Sequence, residues 1–196
     1  MVARPFVGVA RLPRNETEAG VWHVFARGVE RRLIFLDDDD RRRYLRLLRG
    51  VVEQFRWHCL AYCLMPNHVH LLIETTQPNL GRGMHSLHGI YAQSFNERWT
   101  RVGHLFQSRF GSRAVRDDIG LMRVLPYITA NPVAAGLCAT PDEWEWSSHR
   151  ALVDGLADEI VDTDRLGLQI APNGALGSVY AGLMEARLSG GLPVLS

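Results

Sequence analysis

Two strand-like stretches joined by a Met-Pro-Asn turn constrain the fold of this chain more than any other feature. The stretches cover residues 57–64 and 68–75, and the proline and asparagine of the turn 65–67 are turn-forming residues. Because successive strand side chains point to opposite faces, His68 and His70 emerge together on one face of the second strand. Paired imidazoles suit a divalent ion such as Mn²⁺, Zn²⁺, Ni²⁺ or Co²⁺. A polar patch without a metal is the alternative.

The hydrophobic pattern on both sides of this hairpin predicts an α+β fold. The further elements follow from periodicity, caps and turn residues: a strand at 21–27, a helix over about 41–55 begun by the acidic run 37–40, a helix over about 80–99 capped by Asn79, a strand at 103–115, and a helix at 119–135 ended by Gly136. The resulting order, β-α-β-β-α-β-α, is typical of a ferredoxin-like split β-α-β sheet with an added helix. Trp144 and Trp146 are expected to close over its core.

The distribution of charge divides the chain in two. Residues 1–150 hold 20 arginines and 15 acidic residues, whereas residues 151–196 hold two arginines and six acidic residues, and the chain has no lysine. Guanidinium groups form bidentate contacts with phosphate and stack on bases, although a GC-rich genome also favours arginine. We therefore expect one main domain over 1–150 and an acidic extension over 151–196. The extension could cover a DNA-binding surface, lack fixed structure, or form a dimer contact.

Composition excludes several classes of protein. No apolar stretch approaches the roughly 20 residues that span a bilayer, and residues 1–6 do not resemble a signal peptide. Three cysteines, Cys59, Cys63 and Cys138, are expected to be reduced and buried as small apolar residues. Because the first two lie inside an apolar strand pattern, a zinc site that joins them to the histidine pair is a minor alternative.

A third metal ligand is expected from the helix at 119–135. Tyr127 and Asn131 are four residues apart there and share a helix face. If the Asn131 amide oxygen binds the same ion as the histidines, Tyr127 is carried next to that ion. The other tyrosines have no such partner four residues on: Leu48 follows Tyr44, Phe95 follows Tyr91, Met184 follows Tyr180, and Tyr62 lies in a strand.

Four blocks in the correct order resemble the single-tyrosine HUH transposases, and most of all the REP-associated tyrosine transposases. They are MPNHVHLL at 65–72, FNER at 95–98, GHLFQSRF at 103–110 and YITANPVAAGL at 127–137. The resemblance covers about residues 18–150. It implies that 1–150 is an HUH-type catalytic domain whose last helix carries the catalytic tyrosine.

The resemblance also implies a chemistry. Tyr127 would be the nucleophile, His68 and His70 the metal ligands with Asn131 as the third, and Mg²⁺ or Mn²⁺ the cofactor. The reaction would be transesterification on single-stranded DNA that contains a hairpin, through a 5′-phosphotyrosine intermediate that lets a second strand be joined without ATP. Pro126 departs from the family pattern, so the helix is expected either to begin near it or to kink there.

Phosphate contacts are expected from arginines around the metal face of the sheet, although each could also be an ordinary surface residue: Arg82, Arg98, Arg101, Arg109 and Arg113. Two other functions remain open. A domesticated protein would bind DNA hairpins without mobility, and a metal-dependent phosphodiesterase would act independently of Tyr127. The sequence predicts a location in the bacterial cytoplasm at the nucleoid, and both a monomer and a homodimer fit it.

Overall fold

A four-stranded antiparallel sheet with the order β2-β3-β1-β4 forms the centre of the computed structural model, which describes residues 18–154 and 158–191. The strands are β1 (Gly20–Arg27), β2 (Trp57–Met65), β3 (His68–Thr75) and β4 (Gly111–Val115). The helices are α1 (Asp38–Phe55), α2 (Leu80–Arg98), α3 (Asp118–Thr129), α4 (Asn131–Ala134), α5 (His149–Asp154), α6 (Thr163–Ile170) and α7 (Leu176–Leu188). The predicted order and the ferredoxin-like α+β class are confirmed.

The two faces of the sheet have different contents. Strand register places Phe25 opposite His70 and Arg27 opposite His68, so these four side chains share one face. The alternate residues of β3, including Val69 and Leu71, are fully buried on the other face. Helix α1 packs against β2 and α2, whereas α3 packs against β2 and β3. Ring contacts of Tyr127 in α3 with His23 and His70 place α3 over the histidine face.

The predicted strand at 103–115 is wrong in its first half. Only Gly111–Val115 pairs with β1, and the segment 103–110 is a loop. The loop is held across the end of β1 by two backbone bonds, from Gln107 N to the Arg27 oxygen and from Val29 N to the Leu105 oxygen, both 2.9 Å. The segment therefore anchors to the end of β1 as a loop instead of extending β4.

The predicted helix at 119–135 is two helices. Helix α3 runs from Asp118 to Thr129 and continues through Pro126, so the prediction that it begins near Pro126 is wrong. The break comes at Ala130, and α4 follows with Pro132 near its start. Proline lacks the amide hydrogen that would extend α3 and restricts the residue before it, so the chain restarts as a second helix. Gly136, with φ +68°, ends α4 as predicted.

The described part of the C-terminal extension packs against α3. Tyr180 of α7 is fully buried, and its hydroxyl donates to Thr129 Oγ1 at 2.7 Å. The outer edge of β2 is covered by backbone bonds from Leu64 N to the Trp146 oxygen (2.8 Å) and from Asp162 N to the Cys59 oxygen (2.8 Å). The expected closing role of the tryptophan segment is confirmed at this edge.

The remaining predictions concern the cap of α2, the cysteines, membrane-spanning helices and residues 1–6. Asn79 precedes α2, but its side chain accepts from Trp57 Nε1 and donates to the Phe55 oxygen instead of capping the helix. Cys59 and Cys63 are free and buried, whereas Cys138 is half-buried. None of the described helices is long and apolar enough to cross a membrane. The expectation for residues 1–6 lies outside the described residues.

Candidate active site

The tautomer of His68 is fixed by the turn that precedes it. Asn67 Nδ2 donates to the Arg31 backbone oxygen at 2.9 Å, which turns Asn67 Oδ1 towards His68 Nδ1 at 2.7 Å. Because an amide oxygen only accepts hydrogen bonds, His68 Nδ1 carries the proton and Nε2 keeps its lone pair. Within the described residues no hydrogen bond reaches that Nε2 atom.

His70 has a comparable arrangement with a different partner. Its Nδ1 lies 2.9 Å from Nε2 of His23, a residue of β1. When His70 Nδ1 donates this bond, His70 Nε2 also keeps a lone pair, which no hydrogen bond occupies within the described part of the chain. The sequence analysis did not single out His23 as a site residue. The available signal was strand alternation, since His23 and Phe25 share a face of the predicted first strand.

Burial keeps the three imidazoles neutral. It lowers the pKa of His68 to about 4, with a smaller contribution from the positive charge of Arg27. Burial likewise lowers the pKa of His23 to about 4, helped by Arg113, and lowers that of His70 well below its ordinary value. A histidine must be neutral to bind a metal, so this protonation state suits a metal site at neutral pH.

Tyr127 completes the cluster from α3. Its ring centre lies 5.7 Å from those of both His23 and His70, edge-on to each, and the His68 and His70 ring centres are 5.0 Å apart. The side chain is half-buried. Arg187 of α7 places its guanidinium carbon 5.4 Å from the Tyr127 ring centre. The structure therefore brings the predicted nucleophile and both predicted histidine ligands together.

Asn131 is connected to the tyrosine by the helix break. It is the first residue of α4, and its Nδ2 donates to the Tyr127 oxygen at 2.7 Å, with a longer contact of 3.4 Å to the Ile128 oxygen. These bonds use the amide nitrogen, so Oδ1 is the atom that could bind an ion. The chemistry of Oδ1 is compatible with the predicted ligand role, and the side chain is tied to the backbone of Tyr127 in α3.

The donor set fits a metal held by two histidines and one oxygen ligand. No three His, Cys, Asp or Glu side chains form a metal-binding group anywhere in the described ranges. The alternative zinc site is contradicted, because strand register puts Cys59 opposite Ile73, on the face away from His70. Two imidazoles with available Nε2 atoms and an amide oxygen are suitable for Mn²⁺ or, with added waters, Mg²⁺.

The five predicted DNA-binding arginines lie in different parts of the structure. Arg82 of α2 and Arg109 of the 103–110 loop are exposed and line one groove, and Arg113 of β4 is exposed on the histidine face, opposite His23 in register. Arg101 is half-buried, with its guanidinium carbon 5.5 Å from the Phe95 ring centre. All five lie on or beside accessible surface, because Arg98 is exposed as well.

Arg98 has a structural role. It binds Asp37 and Asp40, each at 2.7 Å, at the N-terminus of α1, where Asp37 also caps the helix by accepting from Asp40 N. Hydrogen bonds from Arg98 hold the pKa of Asp37 below its ordinary value. Its guanidinium is therefore bound by carboxylates of α1 instead of being directed to a phosphate.

Comparison with known proteins finds relatives of this chain. The model of the family described as "Transposase IS200 like" matches residues 19–131. A curated Haemophilus influenzae protein, named as a REP-associated tyrosine transposase, is 28% identical over 110 residues, which are 50% of this chain and 62% of that protein. The chain thus spans less than two thirds of that relative's length.

A solved structure has the same fold. It is described as a REP-associated tyrosine transposase bound to a REP hairpin, and it matches with a TM-score of 0.61 and 20% identity over 79% of this chain and 93% of its own. The chain belongs to the IS200-like transposase family. Within that family its resemblance to the REP-associated tyrosine transposases, predicted from the four sequence blocks, is confirmed.

Proposed function

We propose that this chain is a metal-dependent tyrosine transposase that cuts and rejoins single-stranded DNA beside hairpins. The observation that carries the proposal is the cluster of Tyr127, His68 and His70, in which both histidines direct a bonded Nδ1 towards protein and retain an available Nε2. Family membership supports the reaction class. The relatives described as REP-associated, one of them bound to a REP hairpin, support the choice of DNA.

The residues of the site have separate tasks. His68, His70 and Asn131 would hold a divalent ion, which when bound supplies a Lewis acid for the scissile phosphate. The Tyr127 hydroxyl attacks phosphorus and loses its proton, the bond from phosphorus to the 3′ oxygen breaks, and that oxygen leaves as a 3′-hydroxyl. The product is a 5′-phosphotyrosine linkage, whose retained ester bond allows a second 3′-hydroxyl to displace Tyr127.

The surroundings of Tyr127 support its positioning. Edge-on contacts with His23 and His70 restrict the ring, and buried Tyr180 joins α7 to the same helix through Thr129. Arg187, beside the ring, adds a positive charge where a phosphate would approach. We propose that the protein acts at the bacterial nucleoid, where its DNA substrate would be found.

Covalent capture tests this proposal. The protein is incubated with a panel of imperfect hairpin oligonucleotides that carry unpaired flanks, with Mn²⁺ or Mg²⁺, and is then run on a denaturing gel. We expect a shifted protein–DNA adduct that disappears in Tyr127→Phe, which keeps the ring contacts and removes the nucleophilic oxygen. Tyr62→Phe is the matched control, because its hydroxyl binds Asp158 at 3.0 Å, outside the site.

The result also separates the alternative functions. An adduct that persists in Tyr127→Phe would assign the nucleophile to another residue. Hairpin binding without any adduct would favour a binding protein that lacks mobility. Metal-dependent hydrolysis that survives in Tyr127→Phe, together with no affinity for hairpins, would favour a phosphodiesterase.

A further inference from the structure

Helix α7 lies outside the part of the chain that the family model matches, yet it reaches the candidate active site. The family model ends at residue 131, whereas α7 covers Leu176–Leu188. Its buried residues Tyr180 and Met184 are four positions apart, and Arg187 follows three positions later on the same helix face. The face of α7 that packs against α3 therefore ends in an arginine, which contacts the Tyr127 ring.

Close contacts at its start and in its middle fix the position of α7. A side chain at Gly177 would collide with the backbone oxygen of Val153, so α7 begins in direct contact with the end of α5. The Tyr180 hydroxyl donates to Thr129 Oγ1 and accepts from His149 Nδ1, each at 2.7 Å. All three of these side chains are buried. The bonds therefore hold α7 against the last turn of α3, which carries the candidate nucleophile.

A positive charge in contact with Tyr127 is supplied by α7, because the adjacent histidines are neutral. Burial lowers the pKa of His23 to about 4 and that of His70 well below its ordinary value, so neither ring is charged at neutral pH. The guanidinium carbon of Arg187 lies 5.4 Å from the Tyr127 ring centre. This distance is within the roughly 6 Å over which an aromatic ring attracts a guanidinium. A permanent cation is thus held beside the candidate nucleophile.

We propose that Arg187 is a catalytic residue, which stabilises the transition state when Tyr127 attacks the phosphate. The inference rests on the proposed function for the reaction and adds a residue to it. As the new bond from the tyrosine oxygen to phosphorus forms and the bond to the 3′ oxygen breaks, negative charge is spread over the non-bridging phosphate oxygens. The Arg187 guanidinium donates hydrogen bonds to these oxygens, with the planar geometry that suits phosphate.

The proton balance of the step does not involve Arg187. The Tyr127 hydroxyl gives its proton to solvent, and the 3′ oxygen takes a proton from solvent as it leaves. The guanidinium stays charged throughout, because it does not deprotonate in proteins. The same hydrogen bonds would hold the phosphate of the 5′-phosphotyrosine until a second 3′-hydroxyl displaces the tyrosine.

The rate of adduct formation in a single turnover, at saturating hairpin oligonucleotide and Mn²⁺, tests this role. Arg187→Gln should form the adduct about 100-fold more slowly, which is typical for the loss of one group that stabilises transition-state charge. Its affinity for the hairpin, measured by fluorescence anisotropy in EDTA, and its affinity for Mn²⁺ should stay close to those of the wild type. A loss of rate without a loss of binding indicates an interaction made in the transition state.

Two further measurements separate a catalytic cation from a side chain that only packs on the ring. Arg187→Lys keeps the charge and should lose less of the rate than Arg187→Gln. In Arg187→Ala, guanidinium chloride at concentrations too low to unfold the protein should raise the rate of adduct formation. The same addition should give no adduct with Tyr127→Phe, since that variant lacks the nucleophilic oxygen.

Two matched controls change a charge at exposed helical positions. Glu185→Gln lies on α7 itself, and Arg46→Gln makes the same substitution on α1. Both should form the adduct at the wild-type rate. The role of Arg187 is overturned if Arg187→Gln matches the wild-type rate, or if the controls are equally slow. It is also overturned if Arg187→Lys is as slow as Arg187→Gln and guanidinium restores nothing.

The wild-type result keeps this inference apart from the proposed function. No adduct with the wild type rejects the transesterification, and the role of Arg187 with it. Equal rates of adduct formation in the wild type and in Arg187→Gln reject only the role of Arg187.

Discussion

His70 and His88 are both buried, neutral histidines, yet they lie on opposite faces of the sheet and differ in their hydrogen bonds. Both ring nitrogens of His88 are bonded, to the Arg109 oxygen and the Tyr44 hydroxyl. His70 uses only Nδ1, with His23, among the described residues. Burial lowers the pKa of each. A depressed histidine pKa therefore does not identify a functional site, and the feature that separates the two residues is the second ring nitrogen, which is available in His70, the proposed metal ligand, and bonded in His88.

The largest expected difference between the two histidines is in metal binding. His70→Ala and His68→Ala should each lose Mn²⁺ binding in calorimetric titration and reduce adduct formation to background, because each removes a ligand of a site that has few. EDTA should have the same effect on the wild-type adduct and leave hairpin binding in place. His88→Gln should retain the wild-type affinity for Mn²⁺. Equal losses of Mn²⁺ affinity in His88→Gln and His70→Ala would contradict the distinction.

Local sequence patterns predicted the residues around His70, except for His23. Alternation along β3 placed His68 and His70 on one face. Closeness in sequence placed Asn131 beside Tyr127, although the two lie in α4 and α3, on either side of the break at Ala130. His23 lies in β1, 47 residues before His70, and only strand register brings their rings together. Register depends on long-range pairing, which one sequence does not specify.

Loop anchoring and helix breaks were harder to predict than helices and strands. Residues 103–110 were predicted as the first half of a strand, but bonds to Arg27 and Val29 hold them as a loop beside α2. The break after Thr129 has a local signal in Pro132, although one helix was predicted over 119–135. Docking of α7 through Tyr180 and Thr129 has no local signal at all, since the two residues are 51 positions apart.

Acid should destabilise the protein through its buried histidines. The folded state lowers the pKa of His88 to about 4, by burial, whereas an unfolded histidine titrates near 6.5. Between these values the unfolded chain binds more protons, so the free energy of unfolding falls as pH drops from about 6.5 to about 4. Urea unfolding at several pH values should show this fall, to which His88 contributes on the order of 3 kcal/mol.

The variant His88→Gln isolates that contribution. Glutamine can donate to the Arg109 oxygen and accept from Tyr44, but it does not titrate in this range. Its unfolding free energy should therefore decline less steeply than that of the wild type below pH 6.5, with the remaining decline due to the other buried histidines. Parallel curves for the two proteins would show that His88 does not carry the effect.

The smallest of the three effects is expected at His23, which bonds to the proposed metal ligand His70 without being a proposed ligand itself. A hydrogen bond to the outer nitrogen of a metal-binding histidine fixes its tautomer and ring orientation, and its loss typically costs about 10- to 100-fold in metal affinity. His23→Phe should show that loss in Mn²⁺ titration and recover its adduct yield at raised Mn²⁺ concentration. His23→Gln, whose amide oxygen can accept from His70 Nδ1, should bind Mn²⁺ more tightly than His23→Phe. If both variants bind Mn²⁺ as the wild type does, the bond from His70 to His23 has only a structural role. The difference between His70 and His88 then depends on the available ring nitrogen alone.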